Sequence, residues 1–182
     1  MFKRYTGRAR RELKKLALAL TKADLEQRMA AERPQTSEYG LDPFGFDLDW
    51  AIAGSAPLLW LYRHYFRCRT YGLEKLPRGR VLLVANHSGQ LPFDAAMIGM
   101  ALLADGEPPR AVRSMVERWA PTLPFVSVYF ARMGQVVGTP ENARRLLQND
   151  EAVLVFPEGV RGLNKPWKIG RASCRERVCY VV

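Results

Sequence analysis

The sequence predicts an α/β domain in which a mostly parallel sheet is flanked by helices. From Leu73 onward, short apolar runs alternate with helix-compatible stretches, and this alternation is typical of parallel β-α-β units. The chain has 182 residues, of which 48% are hydrophobic and 25% are charged, so its length and apolar content suit one globular domain. Its apolar runs are too short for a membrane-spanning helix.

Four short segments are the predicted strands: Val81–Ala85, Ala111–Met115, Gly134–Val137 and Ala152–Phe156. The first is a continuous apolar run, as in a strand that is buried on both faces, and the fourth is also apolar. Helices are predicted for Pro92–Leu103 and for a stretch from Thr139 to about Asn149. The second helix has a clear start, because Thr139 suits an N-cap and Pro140 suits the first helical position.

Residues 1–70 are interpreted as a basic, helical, membrane-interfacial region. Residues 1–22 hold eight basic residues and one acid, so they carry +7 of the net charge of +10. Residues 8–32 place leucines on one helical face, and residues 39–50 have the composition of a loop with aromatic anchors. The uncharged run Ala51–Tyr62 is too short to span a bilayer and long enough to lie on one; a buried core helix is the alternative.

This charge distribution suits an anionic membrane surface or nucleic acid equally well, and a solvated basic helix is the alternative. Aromatic side chains would add apolar contact at a membrane, and the candidates are Trp50, Trp60, Trp119 and Phe130. Nucleic acid ranks last, because the body of the chain is nearly neutral and carries no recognised nucleic-acid motif. The apolar stretch Leu16–Leu20 is too short for a signal peptide, so we expect a cytoplasmic location, peripheral to the inner face of the membrane.

Residues 71–168 are predicted to form the α/β domain, and residues 169–182 are interpreted as a non-native tail. The tail has no helical or strand period, and over Ile169–Val178 it resembles a translated sequencing adapter. The domain is then incomplete at its C-terminus. We expect the sheet to end at Ala152–Val155 with an unpaired edge, and the tail to pack poorly.

The first candidate site follows the strand Val81–Ala85 and contains His87 and Asp94, with six residues between them. A loop that folds back through Gly89 and Pro92 brings the carboxylate to the imidazole. Such a contact fixes the tautomer and leaves the other ring nitrogen as a general base. A structural histidine beside an N-capping aspartate is the alternative.

The second candidate site, Phe156–Gly162, follows the last predicted strand. Arg161 suits a phosphate or carboxylate, and Glu158 suits a hydroxyl group. The glycines, including Gly159, allow close approach of the backbone to a ligand. An Arg–Glu pair that braces a loop is the alternative.

A third segment, from Gly134 to Thr139, precedes a predicted helix, and its backbone amides suit an anion. Taken alone it is a weak signal. The sequence contains no C-x-x-C pair and no glycine-rich nucleotide-binding motif, so neither a metal nor a cofactor is expected.

In this order and spacing, the three segments resemble the glycerolipid acyltransferase family, the lysophospholipid acyltransferase superfamily. The resemblance covers about residues 72–167, and it implies a glycerol-3-phosphate acyltransferase-like fold with 71–168 as a partial acyltransferase domain. It implies transfer of an acyl group from acyl-CoA or acyl-carrier protein to a glycerolipid hydroxyl. On this resemblance His87 is the general base and Asp94 orients it.

The resemblance also implies a substrate-binding set, which is Phe156, Pro157, Glu158, Gly159 and Arg161, with Gly134 and Thr139. Six residues separate His87 from Asp94, whereas four are commoner at this place in the family. The longer spacing resembles that of the branch that contains mono- and diacylglycerol acyltransferase-like proteins. The middle block lacks the arginine that holds an acceptor phosphate in lysophosphatidate enzymes, a place that Arg144 or Arg145 can take. The alternative function is a non-catalytic lipid-binding module.

Overall fold

A computed structural model describes residues 23–29, 42–87, 92–157 and 179–181. In this part of the chain five strands form one sheet: β1 (Val81–Val84), β2 (Val112–Val116), β3 (Val136–Val137), β4 (Ala152–Val155) and β5 (Cys179–Val181). The order across the sheet is β3-β2-β4-β1-β5. The first four strands run parallel and β5 runs antiparallel to β1, so the predicted α/β class with a mostly parallel sheet is confirmed.

The described helices flank this sheet: α1 (residues 23–29), α2 (Leu48–Trp60), α3 (Phe93–Ala104), α4 (Val126–Arg132) and α5 (Pro140–Gln148). A π-helical turn, Leu61–Tyr65, continues α2, and short 3-10 turns occur at Leu73–Lys75 and Ala120–Thr122. The four predicted strands and two predicted helices are all present. Thr139 caps α5 as expected, since its Oγ1 accepts a hydrogen bond of 3.2 Å from the backbone N–H of Asn142.

Two predictions for the N-terminal region, the helix over residues 8–32 and the loop over residues 39–50, agree with the structure only in part. Of the predicted helix 8–32, residues 23–29 are described and are helical; the rest lies outside the described residues. Helix α2 begins at Leu48, so it takes up the end of the loop predicted for 39–50. The side chain of Asp47 explains this start, because it accepts a hydrogen bond of 3.1 Å from the N–H of Trp50.

Both faces of the sheet are covered. Helices α2 and α3 pack on one face over a large apolar core that includes Leu59, Leu83, Leu103 and Leu154, all 3% exposed or less. Helix α5 covers the other face with Leu146, which packs in a smaller cluster. Among the described residues, no helix is both long and apolar enough to cross a membrane.

The strand order corrects two predictions about the end of the chain. β4 does not form an edge; it lies between β1 and β2, because parallel crossovers return the chain to the middle of the sheet. The prediction that the tail stays apart from the sheet is wrong for residues 179–181, which form β5 and pair with β1, with Leu83 opposite Tyr180. Backbone pairing needs no alternating apolar pattern, and that is why the pattern of the tail failed to reveal it. The non-native origin of residues 169–182 stays a prediction.

A buried ionic cluster fixes the segment before α2 to the second face of the sheet. Arg113, on β2, is 2% exposed and binds the carboxylate of Asp42 through its Nη2 atom. Its Nε lies 3.0 Å from Oε2 of Glu151, at the start of β4. The guanidinium also lies 5.3 Å from the ring centroid of Phe46. Asp42 shapes its own turn by accepting hydrogen bonds from the N–H groups of Phe44 and Phe46.

Candidate active site

His87 and Asp94 meet at the carboxyl-terminal edge of the sheet. His87 comes three residues after the end of β1, and Asp94 lies in the first turn of α3. Nδ1 of the imidazole is 2.7 Å from Oδ2 of the carboxylate. The side chain of Asp94 is 4% exposed and that of His87 is 20% exposed, so the carboxylate is enclosed while the ring keeps a solvent-facing edge.

The position of Asp94 is fixed from the helix side as well. Its Oδ1 accepts a hydrogen bond of 2.8 Å from the backbone N–H of Ala95. A carboxylate in the first turn also lies in the favourable field of the helix N-terminus. Asp94 is not the N-cap that the alternative interpretation required, because Pro92 occupies that position. Each carboxylate oxygen therefore has a separate role.

Phe156 lies against the imidazole of His87. It directly follows β4, which is paired with β1 so that Val84 lies opposite Val155. The rings of His87 and Phe156 have centroids 4.8 Å apart and are tilted by 40°. The two parallel strands thus deliver their following residues to one place, as the carboxyl ends of neighbouring parallel strands do.

This arrangement determines which ring nitrogen is available for chemistry. A carboxylate only accepts hydrogen bonds, so a neutral imidazole bonded to it through Nδ1 carries its proton there and has its lone pair on Nε2. A neutral imidazole held in this tautomer can take a proton from a hydroxyl group at Nε2. Asp94 then stabilises the imidazolium that forms. The contact expected from the sequence is present; the catalytic role of the pair stays a prediction.

The other predicted site residues are distributed unevenly. Phe156 and Pro157 lie at the edge that carries His87, whereas Glu158, Gly159 and Arg161 are outside the described residues. Their assignment to substrate binding stays a prediction.

Gly134 precedes β3 and Thr139 follows it, so the two residues lie at opposite ends of this strand. Gly134 precedes β3 at a φ of +84°, and an added Cβ would lie 3.0 Å from the ring of Phe46 and 3.1 Å from Nη1 of Arg113. This crowding, together with the positive φ, explains structurally why a glycine occupies position 134. Gly134 precedes β3, at the end of the strand opposite to that of the candidate site. Thr139 follows β3 at the edge of the candidate site, but β3 is three strands from β1, roughly 14 Å.

Comparison with known families identifies the domain. The family model described as Acyltransferase matches residues 67–176, more than half of the chain. The chain belongs to the acyltransferase family. The match includes the whole described sheet except β5, together with His87, Asp94 and Phe156. It also extends past residue 168 into the segment interpreted as a tail.

Curated relatives that match this chain include proteins named only as uncharacterized. An uncharacterized protein of Mycobacterium tuberculosis (strain H37Rv) is 36% identical over 152 residues, which are 80% of this chain and 42% of that protein. An uncharacterized protein of Mycobacterium leprae is 38% identical over 132 residues, 71% of this chain and 36% of that protein. The chain therefore spans less than half the length of these relatives. No solved structure matches the chain significantly.

The structure adds residues to the neighbourhood of the site that the motifs did not reveal. Phe93, directly before Asp94, contacts the ring of Phe66 with centroids 5.7 Å apart. The contact between Phe156 and His87 was also not predicted. An aromatic residue beside a motif is a weak signal, because only the packing of distant segments shows what its ring touches.

Proposed function

We propose that this acyltransferase moves a fatty acyl group from acyl-CoA or acyl-carrier protein to a hydroxyl of a glycerolipid, with His87 as the general base. The observation that carries the proposal is the 2.7 Å contact between His87 Nδ1 and Asp94 Oδ2. It leaves Nε2 with a lone pair at the sheet edge where ligands bind in open α/β folds. Membership of the acyltransferase family supports acyl transfer as the reaction class.

The proposed reaction needs only one proton carrier. Nε2 of His87 removes the proton of the acceptor hydroxyl while its oxygen attacks the carbonyl carbon of the thioester. The tetrahedral intermediate collapses, the C–S bond breaks, and the leaving thiolate takes the proton back from the imidazolium. The products are an oxygen ester and a free thiol. Asp94 holds the ring in position throughout and balances its transient positive charge.

The proposed acceptor subsite includes Phe156, Pro157, Glu158, Gly159 and Arg161, which follow β4. Arg161 supplies a cation for a phosphate or carboxylate, and Glu158 accepts a hydrogen bond from a hydroxyl group.

The spacing of His87 and Asp94 favours an acceptor of the mono- or diacylglycerol kind. A phosphorylated acceptor would use Arg161, or the exposed Arg144 and Arg145 of α5.

The protein is proposed to act at an anionic membrane surface, on the cytoplasmic side. Three of the four aromatic residues suggested for interfacial contact are exposed: Trp50 by 43%, Trp60 by 58% and Trp119 by 56%. Phe130 is only half-exposed. Exposed tryptophans suit the boundary between lipid headgroups and acyl chains, because the indole ring combines an apolar body with a polar N–H.

A thioester-release assay tests the proposal. Palmitoyl-CoA or palmitoyl-acyl-carrier protein is mixed with the protein and with monoacylglycerol, diacylglycerol or lysophosphatidate in turn. We expect free thiol to appear in step with an ester product, and only when the right acceptor is present. Lipid binding without acceptor-dependent thiol release would instead assign the chain to the non-catalytic lipid-binding class.

A further inference from the structure

A cluster of exposed aromatic rings lies beside the candidate site. Tyr65 is 67% exposed, and Phe66 and Phe93 are each 42% exposed. Trp60, which is 58% exposed, precedes them in the chain, and its ring lies 6.0 Å from that of His64. The rings of Tyr65 and Phe66 meet edge to face at 4.9 Å, and that of Phe66 lies 5.7 Å from that of Phe93. Burying large apolar rings is favourable, so a group of them left in contact with water indicates a surface that meets something else.

The segment that carries Trp60, Tyr65 and Phe66 is also positively charged. Arg63 and Arg67 are exposed and lie in the same short stretch of chain as Trp60, Tyr65 and Phe66. The sequence contains no acidic residue between Asp49 and Glu74. We call this surface the aromatic–arginine patch: Trp60, Arg63, Tyr65, Phe66, Arg67 and Phe93.

The patch is connected to the catalytic candidates through α3. Phe93 is the first residue of that helix and Asp94 is the second. Helix α3 begins at the sheet edge where β1 and β4 end, since Asp94 reaches His87 there. A partner that covers Phe93 therefore meets the end of α3 that carries Asp94.

We propose that the aromatic–arginine patch docks the protein on an anionic lipid bilayer, so that the edge with His87 and Asp94 faces the membrane. The charge is complementary, because arginine side chains pair with lipid phosphates while tryptophan, tyrosine and phenylalanine enter the headgroup boundary. This inference rests on the proposed function for its purpose, since a glycerolipid acceptor resides in the membrane. Its binding surface is independent of the reaction.

Charge disfavours the other occupants. Residues 1–22 carry eight basic residues and one acid, so they repel the arginines of the patch. A second copy of the chain brings a net charge of +10. Duplex DNA matches the charge of the patch but offers no apolar layer into which four aromatic rings could insert.

Vesicle sedimentation tests the patch directly. Arg63→Glu/Arg67→Glu removes the cations, and Trp60→Ser/Tyr65→Ser removes two of the most exposed rings. Lys75→Glu/Arg78→Glu and Tyr71→Ser are matched controls at exposed positions outside the patch. Vesicles contain phosphatidylcholine with or without phosphatidylglycerol. We expect the charge-reversed patch variant to lose at least about tenfold of its partitioning into anionic vesicles. The ring variant should lose the fraction that remains bound at high salt, and the controls should bind as wild type.

Equal binding by the patch variants and the controls would overturn the inference. So would patch variants that lose binding to duplex DNA and keep binding to vesicles. Circular dichroism checks that each variant folds.

A second measurement separates the patch from the chemistry. Palmitoyl-CoA is supplied with monooleoylglycerol in anionic vesicles, or with water-soluble monobutyrylglycerol. We expect the patch variants to lose transfer to the vesicle acceptor and to keep transfer to the soluble one. If wild type acylates neither acceptor, the proposed function fails, and the sedimentation result still decides the patch.

Discussion

Nδ1 of His87 lies 2.7 Å from Oδ2 of Asp94, although the two residues are seven positions apart and belong to different elements. The contact brings the end of β1 to the first turn of α3. Asp94 uses its second oxygen to accept a hydrogen bond from the N–H of Ala95, so the carboxylate is held by the helix that carries it. An imidazole oriented in this way has a defined direction for its other nitrogen, which the proposed proton transfer requires.

Replacing His87 tests the proposed base. We expect His87→Ala to lower the rate of acyl transfer by ~10²–10⁴, the usual contribution of a general base, while binding of the acyl donor changes little. His64→Ala is the matched control, because His64 is the other histidine of the chain and lies outside the site. It should leave transfer to a water-soluble acceptor unchanged. Activity of His87→Ala close to wild type would remove His87 from the mechanism.

Asp94→Asn tests whether the two residues act as a unit. The amide can donate to Nδ1 and favour the wrong tautomer, so we expect transfer to fall by roughly 10²-fold or more. In a protein that already carries His87→Ala, the same change should have almost no further effect. The double-mutant cycle measures this coupling from initial rates. Additive losses would mean that Asp94 acts independently of the imidazole.

Phe156→Leu tests the ring that packs on His87 with centroids 4.8 Å apart. Loss of the tilted ring contact lets the imidazole rotate, so we expect kcat to fall roughly 10-fold or more with little change in KM for the acyl donor. Phe130→Leu is a matched control, since Phe130 is also half-buried and contacts another ring, that of Tyr129. A higher KM for the acceptor at unchanged kcat would instead assign Phe156 to acceptor binding alone.

The buried cluster around Arg113 should matter for stability. Arg113→Leu leaves the carboxylates of Asp42 and Glu151 without their cation, and we expect the free energy of unfolding to fall by about 3–5 kcal/mol. Urea denaturation measures the change. Arg80→Leu is the control, because Arg80 and Asp150 form an ion pair with side chains 58% and 59% exposed, worth about 1 kcal/mol or less. Similar losses in the two variants would contradict the importance of burial.

Tyr62 should make stability depend on pH in the alkaline range. Burial, with the hydrogen bond donated to Asp105, raises the pKa of Tyr62 from 10.0 to about 12. The folded state thus holds the phenol proton more tightly than the unfolded state does. The resulting stability is fully present below pH 10 and is lost as pH rises from 10 towards 12, by roughly 2–3 kcal/mol.

Urea denaturation between those pH values should show a steeper fall for wild type than for Tyr62→Phe. Tyr71→Phe, at a position 84% exposed, should follow wild type. If the free energies of unfolding of wild type and Tyr62→Phe fell equally with pH, the raised pKa of Tyr62 would be refuted.

Local patterns in the sequence were sufficient for the elements. The apolar run at Val81–Val84 is a buried parallel strand, and Thr139 and Pro140 begin a helix as their chemistry dictates. These signals succeed because strand periodicity and helix capping depend on residues that are close in the chain. The proximity of His87 and Asp94 could also be predicted from the sequence, since only six residues separate them.

The tertiary structure decided what depends on distant segments. Strand order placed β4 in the centre of the sheet and set β5 beside β1, contrary to expectation for the end of the chain. Packing brought Phe156 onto His87 and Phe66 onto Phe93, and it surrounded Arg113 with Asp42 and Glu151. The sequence by itself determined the class of the fold and the proximity of His87 and Asp94, on which the proposed chemistry rests. Only the tertiary structure decided their neighbours, because crossover connections and side-chain packing join residues whose spacing along the chain carries no record of the contact.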